Sequence, residues 1–154
     1  MSLTIGEAAP DFSLPATGGR VVSRDSLKGA PFVLYFYPRA DTPGCTKEAC
    51  AFQDGLPDFA KLGVTVIGVS KDSMTALEKF AAKYSLAFPL ASDPGTQMIE
   101  AYGAWREKSL YGRKYMGIER STVLVDAHGK VARVWPKVKV AGHAAEVLQA
   151  IQEV

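Results

Sequence analysis

Two compact apolar runs constrain this chain more than anything else in it: Phe32-Val33-Leu34-Tyr35-Phe36-Tyr37 and Val64-Thr65-Val66-Ile67-Gly68-Val69. Each has the length of a strand, and their largely apolar character predicts strands buried on both faces. A helical pattern follows each run. After the first, Cys45, Ala49, Phe52, Leu56 and Phe59 recur at alternating spacings of four and three, which marks one buried stripe. After the second, Met74, Leu77, Phe80, Ala81 and Tyr84 line one helix face, with Asp72 or Ser73 as the cap. Strand, helix, strand, helix in succession implies an α/β fold with parallel pairing through a right-handed crossover. Pro57, two residues after Gly55, is predicted to kink or interrupt the first helix near its middle.

The remaining segments arrange themselves around this unit. Phe12-Ser13-Leu14 and Arg20-Val21-Val22-Ser23 flank Gly18-Gly19 and suggest a small hairpin, with one helical turn over Asp25 to Lys28. This N-terminal stretch is too short to supply a core and is expected to pack on the domain as an extension. Phe88-Pro89-Leu90-Ala91 reads as a short edge strand, because a proline cannot donate to a ladder. Asp93-Pro94-Gly95 resembles a helix start leading to Tyr102. Ala104 to Arg120 reads as a long polar loop. Ser121 to Val125 and Val131 to Trp135 flank Asp126-Ala127-His128-Gly129 as an antiparallel hairpin, and a last helix from about His143 turns Ala144, Val147, Leu148 and Ile151 inward. With 154 residues and no linker or repeat, the expectation is one domain spanning 1–154.

Composition narrows the function classes. A formal net charge of +2 does not by itself imply a nucleic-acid partner, and only the stretch from Arg106 to Arg120 approaches a clustered basic face. No apolar run reaches the 18 or so residues of a membrane helix, and no basic segment followed by an apolar core suggests secretion. The expected setting is a reducing cytoplasm. In such a compartment two cysteines suit catalysis or metal binding better than a structural staple.

Both cysteines lie in Pro38-Arg39-Ala40-Asp41-Thr42-Pro43-Gly44-Cys45-Thr46-Lys47-Glu48-Ala49-Cys50. Thr42 is placed to cap the helix, with Pro43 at the first helical position, where its missing donor costs nothing. Cys45 then falls among backbone donors that have no helical partner, and these, with the helix dipole, favour a thiolate. Cys45 also heads the apolar stripe, and burial opposes the charge. A reactive Cys45 therefore requires a second positive contributor. Cys50 falls on the flank with Lys47 and Asp54, away from the stripe. Five residues of unbroken helix separate the two Cα atoms by about 8–9 Å, beyond the roughly 4.4–6.8 Å of a disulfide. A bond between them requires the first turns to unwind. An unreactive core thiol stays open as the plain alternative. Glu48 reads as a solvated helix residue, Tyr37 as core filling, and Thr42 as a cap whether or not it meets a substrate. Zinc would need three or four ligands, and neither His128, in a turn, nor His143, at a helix start, offers a partner set. A papain-like hydrolase lacks its histidine for the same reason. Four intervening residues also depart from the Cys-x-x-Cys of a dithiol reductase.

Tyr35-Phe36-Tyr37-Pro38, Thr42-Pro43-Gly44-Cys45-Thr46 and Glu48-Ala49-Cys50 resemble the peroxiredoxins of the bacterioferritin comigratory protein, or PrxQ, type. Gly68-Val69-Ser70, Asp72-Ser73, Leu90-Ala91-Ser92-Asp93, Trp105-Arg106-Glu107-Lys108, Gly117 to Thr122 and Asp126 to Lys130 extend the likeness over almost the whole chain. One departure is Leu77, where many members carry a histidine near this place, outside the catalytic set. The resemblance implies a thioredoxin-like fold, a central mixed β-sheet flanked by helices with an N-terminal β-hairpin extension. It implies a thioredoxin-dependent, atypical two-cysteine peroxidase acting on hydrogen peroxide and organic hydroperoxides. In that reading Cys45 is the peroxidatic and Cys50 the resolving cysteine, joined in one chain by an intramolecular disulfide after a Cys45 sulfenic acid. Pro38 and Thr42 complete the peroxide pocket, and Arg120 is the positive contributor that burial demanded. The implied partners are a hydroperoxide and thioredoxin or a similar dithiol donor, with no metal or organic cofactor, no nucleic acid and no membrane. A monomer is expected, with a dimer as the alternative. A general disulfide reductase and a redox-sensing or chaperone-like domain are the competing functions.

Overall fold

The computed structural model describes residues 3–153. Met1, Ser2 and Val154, the ends of the expected 1–154 domain, lie outside them. The elements are β1 (Ser13–Ala16), β2 (Arg20–Ser23), α1 (Arg24–Leu27), β3 (Phe32–Phe36), α2 (Pro43–Lys61), β4 (Thr65–Ser70), α3 (Met74–Tyr84), β5 (Leu90–Ser92), α4 (Gln97–Ala101), β6 (Trp105–Leu110), β7 (Arg113–Ile118), β8 (Ser121–Val125), β9 (Val131–Trp135) and α5 (His143–Ile151). Seven strands form one mixed sheet in the order β2-β1-β5-β4-β3-β8-β9. The β3–β4 and β4–β5 pairs are parallel, and the outer pairs are antiparallel. The two apolar runs are therefore interior strands, and every residue of β3 is buried.

Alternation along β3 divides the interior into two layers. Val33, Tyr35 and Tyr37 face the layer filled by Cys45, Ala49, Phe52 and Phe59 of α2, Leu77 and Phe80 of α3, and Val147 and Ile151 of α5. Phe32, Leu34 and Phe36 face the other, with Phe12, Met98, Ile99 and Tyr102. Gly68 decides one detail. A Cβ there would lie 2.8 Å from Tyr35 Cζ and 2.9 Å from Leu90 Cδ2, so only glycine lets the Tyr35 ring lie flat across β4. Tyr35 in turn stacks on Phe52 at 4.7 Å and fixes the seat of α2.

The structure corrects four expectations. First, α2 runs from Pro43 to Lys61 with Pro57 inside it, so Pro57 does not interrupt the helix. Phe52 and Phe59, both buried, anchor the helix on either side of the proline. Second, β5 is an interior strand. The N-terminal hairpin continues the sheet beyond it through the Ala16↔Ala91 pairing and the Thr17 N–H to Leu90 carbonyl bond of 3.0 Å. Pro89 falls just outside the strand and contributes only its carbonyl, which accepts from Gly68 N–H at 3.1 Å. Third, α4 begins at Gln97, because Asp93-Pro94-Gly95 is used in a turn closed by Thr96 N–H to Asp93 O at 3.0 Å. Asp93 still serves the helix by accepting from Ile99 N–H at 2.9 Å. Fourth, residues 105–118 form an antiparallel hairpin, β6–β7, standing apart from the main sheet. Its two-residue turn has both Tyr111 (φ 51°) and Gly112 (φ 78°) in the left-handed region, the signature of a tight hairpin. The whole is a thioredoxin-like α/β fold with a central mixed sheet flanked by helices and extended by an N-terminal hairpin.

Candidate active site

The carboxyl end of β3 leads into a short loop that delivers the chain to α2, and this loop is pinned from the neighbouring elements. Asp72, two residues past the end of β4, accepts from Ala40 N–H and from the Ser70 hydroxyl, both at 2.8 Å. Asp41 has φ 59°, a conformation that Asp tolerates better than most residues. Its carboxylate is held by Lys83 Nζ at 3.0 Å and the Tyr84 hydroxyl at 3.0 Å, both on α3. Those two partners, with Lys83 the larger contributor, keep the Asp41 carboxyl below its ordinary range.

Thr42 occupies the N-cap position, but its side chain makes no capping bond. Its hydroxyl donates instead to Arg39 O at 2.8 Å, which corrects the view of Thr42 as a side-chain cap. The first intrahelical bond runs from Thr46 N–H to Thr42 O at 2.8 Å. Gly44 and Cys45 precede it, so their N–H groups point out of the helix start. Pro38, half-buried, stands between β3 and this loop.

Cys45 is buried at 1% exposure against the sheet, as its place at the head of the stripe predicts. Arg120, in the short link between β7 and β8, donates from Nη2 to Cys45 Sγ at 3.3 Å. The missing positive charge is thus beside the thiol, carried there from 75 residues away. Two features allow the approach. The Arg120 carbonyl is tied to Val138 N–H at 2.8 Å, which fixes the backbone. A Cβ on Gly44 would lie 3.2 Å from Arg120 Nη2, so a glycine before the cysteine leaves the guanidinium room to cross the helix start.

The same guanidinium donates from Nη1 to Glu48 Oε1 at 2.8 Å. Glu48 is 2% exposed, which overturns its reading as a solvated residue. The signal that finds it is spacing: Glu48 lies three residues after Cys45 and four before Phe52, on the stripe itself. Burial pushes its carboxyl up to about 7 against the opposing pull of Arg120. Burial works against the charge of Arg120 too, but Glu48 and Cys45 outweigh it and hold the guanidinium above its ordinary range. Around this trio the hydroxyls of Tyr35 and Tyr37 and Oε2 of Glu48 are buried without a partner among the described residues. Burial raises both tyrosine hydroxyls well above their ordinary values, so they stay neutral.

Cys50 lies half-exposed on the other flank of α2, and both cysteines are free thiols. His143 is a core residue rather than a simple cap: it is buried, bonded to Thr122 Oγ1 at 2.7 Å and Glu146 Oε1 at 3.0 Å, and packed edge-on to Phe52. His128 sits in the β8–β9 turn, its N–H on Asp126 Oδ1. Among the described residues no group of three His, Cys, Asp or Glu side chains is placed to hold a metal ion. No helix among them is long and apolar enough to cross a membrane.

The chain and its fold are similar to known proteins. The sequence pattern of the AhpC/TSA family matches residues 5–134. The Bacillus subtilis peroxiredoxin Bcp is 45% identical over 99% of this chain and 98% of its own length. The Escherichia coli K12 peroxiredoxin Bcp is 42% identical over 98% of this chain and 97% of its own. A solved structure of the Xanthomonas campestris bacterioferritin comigratory protein, which has alkyl peroxide reduction activity, superposes with a TM-score of 0.91 at 42% identity, covering 98% of this chain and 96% of that one. The chain therefore belongs to the AhpC/TSA peroxiredoxin family, within it to the Bcp/PrxQ subfamily, and is a thiol-dependent peroxidase.

Proposed function

We propose that Cys45 is the peroxidatic nucleophile, that Arg120 and Thr42 bind and orient the hydroperoxide with Pro38 closing the pocket, and that Cys50 resolves the oxidised cysteine within the same chain. The observation that carries this reading is the 3.3 Å contact of Arg120 Nη2 with Cys45 Sγ at a helix start whose first N–H groups have no helical partner. The Cys45 thiolate attacks the terminal oxygen of the peroxide, and the O–O bond breaks as the S–O bond forms. The departing oxygen carries the electron pair away and takes up a proton, leaving water or an alcohol and a Cys45 sulfenic acid. Arg120 and the free N–H groups of Gly44 and Cys45 stabilise charge on that oxygen, and the Thr42 hydroxyl, whose lone pairs remain open, orients the substrate. The first turns of α2 then unwind, and the Cys50 thiol displaces water from the sulfenic sulfur to give a disulfide.

A thioredoxin-type dithiol protein is the proposed reductant, and the half-exposed position of Cys50 supports such an approach. Two free thiols suit the reducing cytoplasm, where the protein is proposed to work as a single 1–154 domain and as a monomer. The alkyl peroxide reduction activity of the Xanthomonas campestris relative supports alkyl hydroperoxides as proposed substrates beside hydrogen peroxide. Stopped-flow mixing of the reduced protein with hydrogen peroxide and with an organic hydroperoxide tests the reading. Oxidation of Cys45 far faster than that of free cysteine is expected, and a rate equal to free cysteine overturns it.

A further inference from the structure

One guanidinium serves two acids. Arg120 places Nη2 on Cys45 Sγ at 3.3 Å and Nη1 on Glu48 Oε1 at 2.8 Å, and both acids are buried, at 1% and 2% exposure. If both ionise, the trio holds two negative charges against one positive charge in an apolar layer. Among the described residues no second cation is placed to meet that excess. The groups facing Glu48 are Tyr35 and Tyr37 from β3, Cys45 on its own helix and Arg120 from the β7–β8 link. The tyrosines stay neutral. Asp72, beyond Tyr37, is occupied by Ser70 and Ala40, and His143 from α5, beyond Phe52, is occupied by Thr122 and Glu146. No second cation is on Glu48 among the described residues. Among the described residues Glu48 Oε2 is also without a donor, and an empty acceptor site costs a carboxylate more than a neutral carboxyl.

We infer that Glu48 is a positioning residue that shares one proton with Cys45 across Arg120, so that the thiolate forms most readily while Glu48 keeps its proton. The inference rests on the reading of Cys45 as the peroxidatic nucleophile. With Glu48 neutral, the guanidinium charge is uncompensated and favours the thiolate. Once Glu48 ionises, it takes the charge of Arg120 and adds a like charge beside the sulfur, and both effects oppose the thiolate. The two acids then titrate as a pair, losing their protons in two steps that belong to neither residue alone.

Glu48→Gln separates this role from a purely structural one, because glutamine keeps an acceptor for Arg120 Nη1 but cannot ionise. Stopped-flow oxidation by hydrogen peroxide is compared between Cys50→Ser and Cys50→Ser/Glu48→Gln from about pH 5 to about pH 9. The expected result is a two-stage profile that becomes a single stage, with its midpoint lowered by about one pH unit. A uniformly slower variant with an unmoved midpoint overturns the inference. Should Glu48→Gln fold poorly, carboxyl carbon NMR of the reduced wild-type protein and of Cys45→Ser reports the same coupling from the other side. A broad two-stage Glu48 curve that collapses to one stage in Cys45→Ser supports the shared proton, and superimposable single-stage curves overturn it. Oxidation of Cys50→Ser no faster than free cysteine at every pH removes the nucleophile reading instead, while the NMR titration still reports the proton.

Discussion

Cys45 and Cys50 stand five residues apart on one helix and differ in every physical respect that governs a thiol. Cys45 is buried against the sheet with a guanidinium on its sulfur, whereas Cys50 is half-exposed on the opposite flank. Helical period alone accounts for the contrast: at 100° per residue, five steps turn a side chain well out of the stripe that Cys45 heads. The same helix also keeps the sulfurs apart, since the Cα atoms are separated by about 8–9 Å along it. In the proposed mechanism the site either holds Cys45 beside Arg120 or brings it to Cys50, and unwinding the first turns exchanges one state for the other.

The largest expected effect removes one side of this comparison. Cys50→Ser is expected to leave the first oxidation of Cys45 fast and to abolish the intramolecular disulfide, with turnover on a dithiol donor falling to a small residual. Peptide mass spectrometry of oxidised wild-type protein checks it. If wild type shows only intermolecular bonds, Cys50 is not the resolving partner. Amides from Thr46 to Ala49 should exchange with solvent faster in the oxidised wild type than in reduced protein, because the first turns must open to close the bond.

Arg120→Met strips Cys45 of what distinguishes it. Loss of one charged donor aimed at the reacting centre is worth about 10²–10³ in rate, so the first oxidation should slow by about that factor. The variant also leaves Glu48 buried with no counter-ion, and a stability loss of about 3–5 kcal/mol is expected where Glu48 would be ionised. An unchanged pH–rate profile would remove Arg120 from the site.

How much of this contrast the amino-acid sequence shows depends on whether burial is local. The βαβα unit was legible because both apolar runs and both stripes carry their own periodicity, and Cys45 at the head of a stripe was legible for the same reason. The β6–β7 hairpin was not, since it packs away from the main sheet. Leu110, Tyr111, Tyr115 and Met116 are exposed, and no buried face imposes an alternating pattern. β5 was misplaced at an edge because the strand covering it comes from a turn-rich segment 75 residues earlier, paired as Ala16↔Ala91. Glu48 was missed because a charged residue beside Lys47 reads as solvated until its cation is located, and that cation lies 72 residues away. Arg120 itself was found by family resemblance and by the need for a positive charge, not by any local signal.

The trio around Cys45 also leaves a mark on stability that the surroundings of Cys50 do not. The Glu48 carboxyl is raised by burial from an ordinary 4.5 to about 7. The unfolded chain therefore releases this proton at lower pH than the folded protein, and over that window the folded state binds more protons. Stability should fall as pH rises from about 4.5 to about 7 and then level off, by about 3 kcal/mol in all. His143 works in the opposite direction. Burial lowers its pKa below 6.5, so its contribution is kept at higher pH and lost as pH falls below that value. Urea unfolding at a series of pH values should show the falling slope in wild type and the rising one in Glu48→Gln. Two identical curves would mean that burial does not raise the Glu48 carboxyl above its value in the unfolded chain.

The smallest expected effect concerns how readily the Cys45 end of α2 opens. Ser73 caps α3 with a bond from Ala76 N–H to its hydroxyl at 3.2 Å, while Thr42 at the matching position of α2 turns its hydroxyl away to Arg39 O. Replacing a bonded cap costs about 1 kcal/mol, so Ser73→Ala should destabilise the protein by about that amount. Thr42→Val removes no capping bond, only the exposed bond to Arg39 O, and should cost no more than about 0.5 kcal/mol, while peroxide oxidation slows because the orienting hydroxyl is gone. If Thr42→Val instead costs as much stability as Ser73→Ala with no change in oxidation rate, Thr42 is a cap after all. The expected outcome places an uncapped start on the one helix that must unwind for its two thiols to meet.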